Sequence, residues 1–236
     1  MPIDNKWLRK IYLEELAREV EWHDGIFRAK ARNPLKYEKV QSRHSPKLKG
    51  FRDLKDVPSD KIWFTSDQHY GHKNIIEFSK RPFVGVGHMN QRLVELYNEK
   101  VAEDDVVIFV GDLAFGGVEM GNNVLSHLNG YKINVVGNHD FAGKKLLNLH
   151  FEESHLSYSL ERDKQKLLIT HYAFEEVPKG YRNIHGHIHA ASFEIFKGEE
   201  YYNVNVEFSN YAPVKLQTIL DCPYQYKPVF ENTPSR

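Results

Sequence analysis

Cys222 is the single cysteine in 236 residues. No intrachain disulfide can form, so the fold rests on its core, and a reducing cytosol suits such a chain. Excess charge is also missing, because 32 Lys and Arg balance 32 Asp and Glu. That excludes a basic field over the whole chain, though not a local basic patch for nucleic acid. No apolar run nears the roughly 18–20 residues of a membrane span. The opening MPIDNKWLRK has no apolar core of a secretion signal. The expected location is the cytoplasm, with no membrane partner. Hydrophobic residues at 41% and charged residues at 27% suit a soluble domain with a substantial core. Histidine is plentiful, at 13 residues, and its placement carries the functional reading.

The first 60 residues differ from the rest. Trp7, Leu8, Ile11, Tyr12, Leu13, Leu16 and Val20 recur at helical spacing. A basic stretch, AKARNPLKYEKVQSRHSPKLKG, follows as an arm or a solvated linker. From Lys61 the pattern alternates. KIWFTSD, VVIFVGD and KINVVG read as strands, the last two buried on both faces. NIIEFSK, MNQRLVELYNEKV and VEMGNNVLSHLNG read as helices, the third closed by Gly130. GKKLLNLH suggests a short helix. HLSYSLE and QKLLITH flank RDK as a hairpin. RNIHGHIH, ASFEIFK and YYNVNVEF follow, and APVKLQTIL reads as a closing helix with Pro213 in its first turn. The fold class expected is layered α/β, with sheet inside and helices outside.

Polar residues gather where the apolar runs stop. Asp67, Gln68 and His69 follow IWFTS, and Asp112 follows VVIFVG. Asn138, His139 and Asp140 follow INVVG, and His171 follows KLLIT. His185, Gly186, His187, Ile188 and His189 follow YRNI. Ligand sites of open α/β sheets lie beyond the carboxyl ends of strands. Carboxylates and neutral imidazoles suit divalent transition ions. So many donors exceed one tetrahedral ion and suit two ions, which about 3.5–4 Å apart can clamp a displacement at phosphorus. Each piece alone has a plainer reading: Gly-Asp as a turn, Asn-His-Asp as a turn and helix cap. His-Gly-His-Ile-His resists one; if extended, His185, His187 and His189 share a face.

The ordered set Asp67-x-His69, Gly111-Asp112, Gly137-Asn138-His139-Asp140, His171 and Gly186-His187-x-His189 resembles the calcineurin-like metallophosphoesterase family. It spans residues 61 to about 190. WFTSDQHYGHKNIIEFSKRPF and NVNVEFSNYAPVKLQTIL resemble the small bacterial and phage branch. The resemblance implies a four-layer β-sandwich flanked by helices, with the metals at strand ends. It divides the chain into an N-terminal helical and basic extension (1–60), the phosphoesterase domain (61–222) and a C-terminal tail (223–236). It implies one metal on Asp67, His69 and His189, a second on Asn138, His171 and His187, and Asp112 bridging them. Two divalent ions are expected, Mn²⁺ first, with Fe, Zn²⁺ and Ni²⁺ as alternatives. Attack on phosphorus by a hydroxide between the metals follows from that cage, with His139 protonating the leaving group and His72 assisting.

Arg81 and Lys73 are the expected substrate-phosphate contacts. Asp140 is expected to be structural, and Asn205 and Glu207 to stand apart from the metal motif. Phe115 occupies the position where many members carry an acidic residue. The expected activity is that of a phosphodiesterase on a nucleotide-type substrate. The alternatives are a phosphomonoesterase acting on a small metabolite and a metal-binding scaffold without turnover. The expected partner is a small phosphoester or nucleotide, with nucleic acid second.

Overall fold

Continuous apolar runs become strands here, and runs with helical spacing become helices. The computed structural model describes residues 20–23, 26–29, 54–142, 145–174, 176–189 and 200–221. In chain order the strands and helices are β1 (Val20–His23), β2 (Ile26–Ala29), β3 (Ile62–Thr65), α1 (Ile75–Phe78), α2 (Val86–Asn98), β4 (Val106–Phe109), α3 (Gly117–Leu125), β5 (Tyr131–Val135), β6 (Phe141–Ala142), β7 (Lys145–Leu146), β8 (Glu153–His155), β9 (Tyr158–Arg162), β10 (Gln165–Thr170), β11 (Tyr181–His185), β12 (Tyr201–Asn203), β13 (Val214–Lys215) and α4 (Leu216–Asp221).

Five strands form one sheet in the order β13–β3–β4–β5–β8, and four form another in the order β12–β11–β10–β9. β3, β4, β5 and β8 run parallel, as do β10, β11 and β12, while β13 and β9 are antiparallel edges. Strand periodicity divides the first sheet between two cores. Ile62, Phe64, Val106 and Ile108 join Leu167, Ile169 and Ile184 of the second sheet in one buried cluster. Trp63, Val107 and Phe109 join Met89, Leu93 and Tyr97 of α2 and Val124 and Leu125 of α3 in the other. The two sheets therefore lie face to face, with helices over the outer face of the first. The fourth layer implied by the resemblance is not seen among the described residues, and α4 sends Leu216, Ile219 and Leu220 into the inter-sheet core.

Several expectations change. The helix expected around residues 7–20 lies outside the described residues except for Val20, which opens β1, paired antiparallel with β2. ASFEIFK and the tail also lie outside them. GKKLLNLH gives β7, paired with β6, rather than a helix. In APVKLQTIL, Val214 and Lys215 pair with β3 before the helix starts at Leu216. Leu54 and Val57, ahead of the expected boundary at 61, are buried in the inter-sheet core. Among the described residues, no helix is long and apolar enough to cross a membrane.

Candidate metal centre

Every donor follows a strand. Asp67 and His69 follow β3, Asp112 follows β4, and Asn138 and His139 follow β5; His171 follows β10, and His187 and His189 follow β11. The chain turns them inward with left-handed backbone at Asp67 (φ 59°), His69 (φ 54°), Asp112 (φ 59°) and His187 (φ 64°). Such conformations cost on the order of 1–3 kcal/mol each away from glycine and cluster at functional sites. Two glycines permit the close approach. A Cβ on Gly137 would lie 2.6 Å from the Asp112 nitrogen, and one on Gly186 would lie 2.5 Å from Asp67 Oδ2.

Three overlapping groups have donor atoms within 4.8 Å of one another: Asp67, His69 and His189; His69, Asp112 and His139; Asp112, His171 and His187. Asp112 Oδ2 is central, 3.4 Å from His171 Nε2, 3.7 Å from His69 Nε2 and 4.0 Å from His139 Nε2. Asp67 Oδ1 lies 3.9 Å from His69 Nε2 and 3.8 Å from His189 Nε2. Asn138 Oδ1 is 3.0 Å from His171 Nε2.

Asp67 Oδ1 and His69 Nε2 are buried with no hydrogen-bond partner. An unmade buried hydrogen bond costs roughly 1–3 kcal/mol, which a cation between these two atoms would offset. The donors are carboxylates, imidazoles and one amide oxygen, without thiolate. That set fits divalent ions of intermediate softness.

Charge is unevenly distributed. Burial opposes a charged His171, but the Asp112 carboxylate prevails and lifts its pKa to about 10. Asp112 is buried too, yet chiefly His171 holds it well below the carboxylate range. Burial pushes Asp67 up and holds His69 well below the imidazole range. Burial, then the charge of His171, lowers His187 to about 3.

A polar network behind the donors fixes their aim. His189 Nδ1 lies 2.7 Å from Glu207 Oε1, leaving Nε2 toward Asp67. The same Glu207 oxygen accepts from Arg81 Nε and pairs with Nη2, both at 3.0 Å. Arg81 also donates to the carbonyls of Gln68 (2.8 Å) and Asp67 (2.7 Å). Its side chain is 0% exposed, so the guanidinium expected at a substrate phosphate is engaged inside the protein. Glu207, expected apart from the motif, touches a candidate ligand, and Asn205 Nδ2 lies 3.2 Å from the same His189 nitrogen. A partner 126 residues from Arg81 leaves no local sign in the sequence.

Asp140 is buried and accepts from the backbone nitrogens of Gly137 (2.8 Å), Asp112 (3.3 Å) and Leu113 (3.4 Å). It thereby ties two ligand loops together, and burial, then Asp112, raises its pKa to about 6. Ser66 Oγ and the His187 N–H both donate to Asp67 Oδ2. His139 is partly exposed, and its N–H donates to Asp112 Oδ1 at 2.7 Å. Its ring packs edge-on against Phe115, with centroids 5.1 Å apart. His72 Nδ1 lies 3.4 Å from His69 Nδ1, and its ring stacks on Phe115 at 4.0 Å. Lys73 is exposed on the same turn. His185 does not join the donors. It is the last residue of β11, it hydrogen-bonds the Gly186 carbonyl, and burial lowers its pKa to about 4.

No family model matches the chain. Gene 66 protein of Mycobacterium phage D29 is 39% identical over 82 residues, which is 34% of this chain and 40% of the phage protein. Among solved structures, the protein of unknown function AQ665 from Aquifex aeolicus overlays with a TM-score of 0.52 at 24% identity, covering 68% of this chain and 97% of that one. This likeness is one of fold. A novel archaeal phosphodiesterase (TM-score 0.37, covering 61% of this chain and 81% of that one) and Pseudomonas putida nuclease MPE (0.36, 56% and 63%) overlay less well, each at 20% identity. Overlap at that level fixes neither fold nor activity. With 32% identity over 168 residues, 68% of this chain and 89% of the archaeal protein, the chain belongs to the family of the uncharacterized protein MJ1445 of Methanocaldococcus jannaschii.

Proposed function

We propose that this chain is a metal-dependent phosphoesterase, a hydrolase whose substrate is a phosphodiester of the nucleotide type. The observation that carries the reading is the overlap of the donor groups at Asp112: its carboxylate belongs to two of the three, and His69 to two. A shared carboxylate is what a pair of ions needs in order to sit close enough to act on one phosphorus. Asp67, His69 and His189 would hold one ion and Asn138, His171 and His187 the other, with Asp112 between; Mn²⁺ is the ion proposed. Bound there, divalent ions supply Lewis acidity toward phosphoryl oxygens and lower the pKa of water to near neutrality.

The protein's own groups have separate tasks. His139, with its ring on the open side of Asp112, holds a phosphoryl oxygen and hands a proton to the leaving oxygen. Phe115 restrains that ring by packing against it. Glu207 and Arg81 hold His189, and Asp140 holds the Asp112 and Asn138 loops at a fixed spacing.

The test is a paired rate assay on protein stripped with chelator and reconstituted with Mn²⁺. Bis-p-nitrophenyl phosphate is expected to turn over faster than p-nitrophenyl phosphate, and both rates to vanish without metal. A faster monoester rate would make the enzyme a phosphatase. The absence of any metal-dependent rate on either substrate would overturn the reading.

A further inference from the structure

Large apolar side chains exposed among the described residues are Phe78 at 67%, Val84 at 95% and Phe115 at 50%. Single exposed apolar residues mean little. Two of these three, however, flank one imidazole beside the candidate metal centre. Phe115 stacks on His72 with centroids 4.0 Å apart and planes 12° from parallel. Phe78 meets the same imidazole edge-on at 6.3 Å. His72 in turn lies 3.4 Å from His69, a candidate ligand. Parallel stacking on His72 occupies one face of the Phe115 ring, and half of Phe115 stays exposed to solvent. Its centroid is 5.1 Å from that of His139, with the planes 62° apart, and His139 Nε2 is 4.0 Å from Asp112. An aromatic surface therefore begins where the phosphate-handling groups end.

We infer that Phe115, backed by His72 and flanked by Phe78, is the subsite that receives the base of a nucleotide whose phosphate lies at the metal centre. The inference rests on the phosphoesterase reading for the position of the phosphate. A nucleobase is planar, carries a π-face on both sides and is joined to its phosphate through one sugar, which matches a stacking ring next to a phosphate site. Stacking of this kind is indifferent to base identity, because every base has such a face. The substrates expected are nucleotides and short oligonucleotides without a strong base preference. Phe115 then sets the preference for substrates that carry a base.

The test compares AMP with ribose 5-phosphate, which has the same sugar and phosphate and no base. Both are titrated calorimetrically into the full chain loaded with Mn²⁺. AMP is expected to bind about tenfold tighter or more, as one aromatic stack contributes. Phe115→Leu keeps the apolar volume and removes the ring, so the gap should fall to about threefold or less. Phe115→Trp should restore it. Equal affinity of the wild-type protein for the two ligands would overturn the inference, as would a gap that survives Phe115→Leu. The two claims fail separately. Metal-dependent diester hydrolysis with equal affinity for AMP and ribose 5-phosphate sinks only the subsite. A Phe115-dependent gap between those two ligands without any hydrolysis sinks the enzyme reading.

Discussion

At the scale of single residues, Glu207 carries more than its place in the sequence suggests. One of its oxygens serves His189, a candidate ligand, and the buried Arg81 guanidinium together. A carboxylate on the far nitrogen of a ligating histidine fixes which nitrogen faces the ion, and losing such a partner typically costs 10–100-fold in metal affinity. Removing it also leaves a guanidinium buried without its charge partner, roughly 3–5 kcal/mol. Glu207→Ala should therefore weaken Mn²⁺ binding by about 10–100-fold and lower the denaturation midpoint. Glu207→Gln, which keeps an acceptor for Arg81, should lose metal affinity with a smaller loss of stability. Calorimetric Mn²⁺ affinities and urea melts on both variants would check this. Unchanged affinity in Glu207→Ala would remove Glu207 from the account. The donors themselves were legible because each sits in a short motif after an apolar run. The network behind them was not, because its members meet only through the fold.

At the scale of elements, legibility followed length and burial. β3 and β4 were readable because strands covered on both faces are near-continuously apolar, and β5 from Ile133 and Val135, which face the inter-sheet core. The β9–β10 hairpin was readable from RDK, and Asp163 (φ 49°) and Lys164 (φ 65°) take the left-handed backbone of a tight hairpin turn. α2 was readable from the spacing of Met89, Leu93 and Tyr97, all buried. Tertiary contacts decided the rest. α3 stops at Leu125, short of Gly130, and the chain beyond is tied elsewhere: the Asn129 N–H donates to Asn98 Oδ1 and the Leu128 carbonyl accepts from Lys132. β7 exists only through its pairing with β6. Pro213 precedes an edge strand, where a missing donor is tolerated, and that pairing with β3 delays α4. The alternation expected for His185, His187 and His189 breaks at Gly186 and at the left-handed His187, which separates His185 from the two donors.

At the scale of the molecule, the candidate centre forms because two sheets lie face to face. Three of the strand ends that carry candidate ligands come from the sheet of β3, β4 and β5, and two from that of β10 and β11. Buried histidines at that junction make the stability of the chelated protein depend on pH. His185 and His72 are lowered to about 4 and His187 to about 3, chiefly by burial. A depressed pKa contributes stability that is present above about 6.5 and lost as pH falls through the folded value. For His185 the displacement corresponds to roughly 3 kcal/mol. His171, raised to about 10, behaves oppositely: its contribution is present below about 6.5 and lost as pH rises toward 10. Asp140, raised to about 6, offsets part of the acid loss. The melting temperature of the metal-free protein should peak near neutral pH and fall on both sides. A profile flat between pH 4.5 and 7 would show that these histidines do not resist protonation in the fold.

The central claim is a pair of ions sharing Asp112, and the amount of Mn²⁺ held per chain tests it most directly. Elemental analysis after reconstitution and dialysis should find about two ions per wild-type chain. Asp112→Ala should hold one or none. A single ion in the wild-type protein, or two retained in Asp112→Ala, would contradict the account.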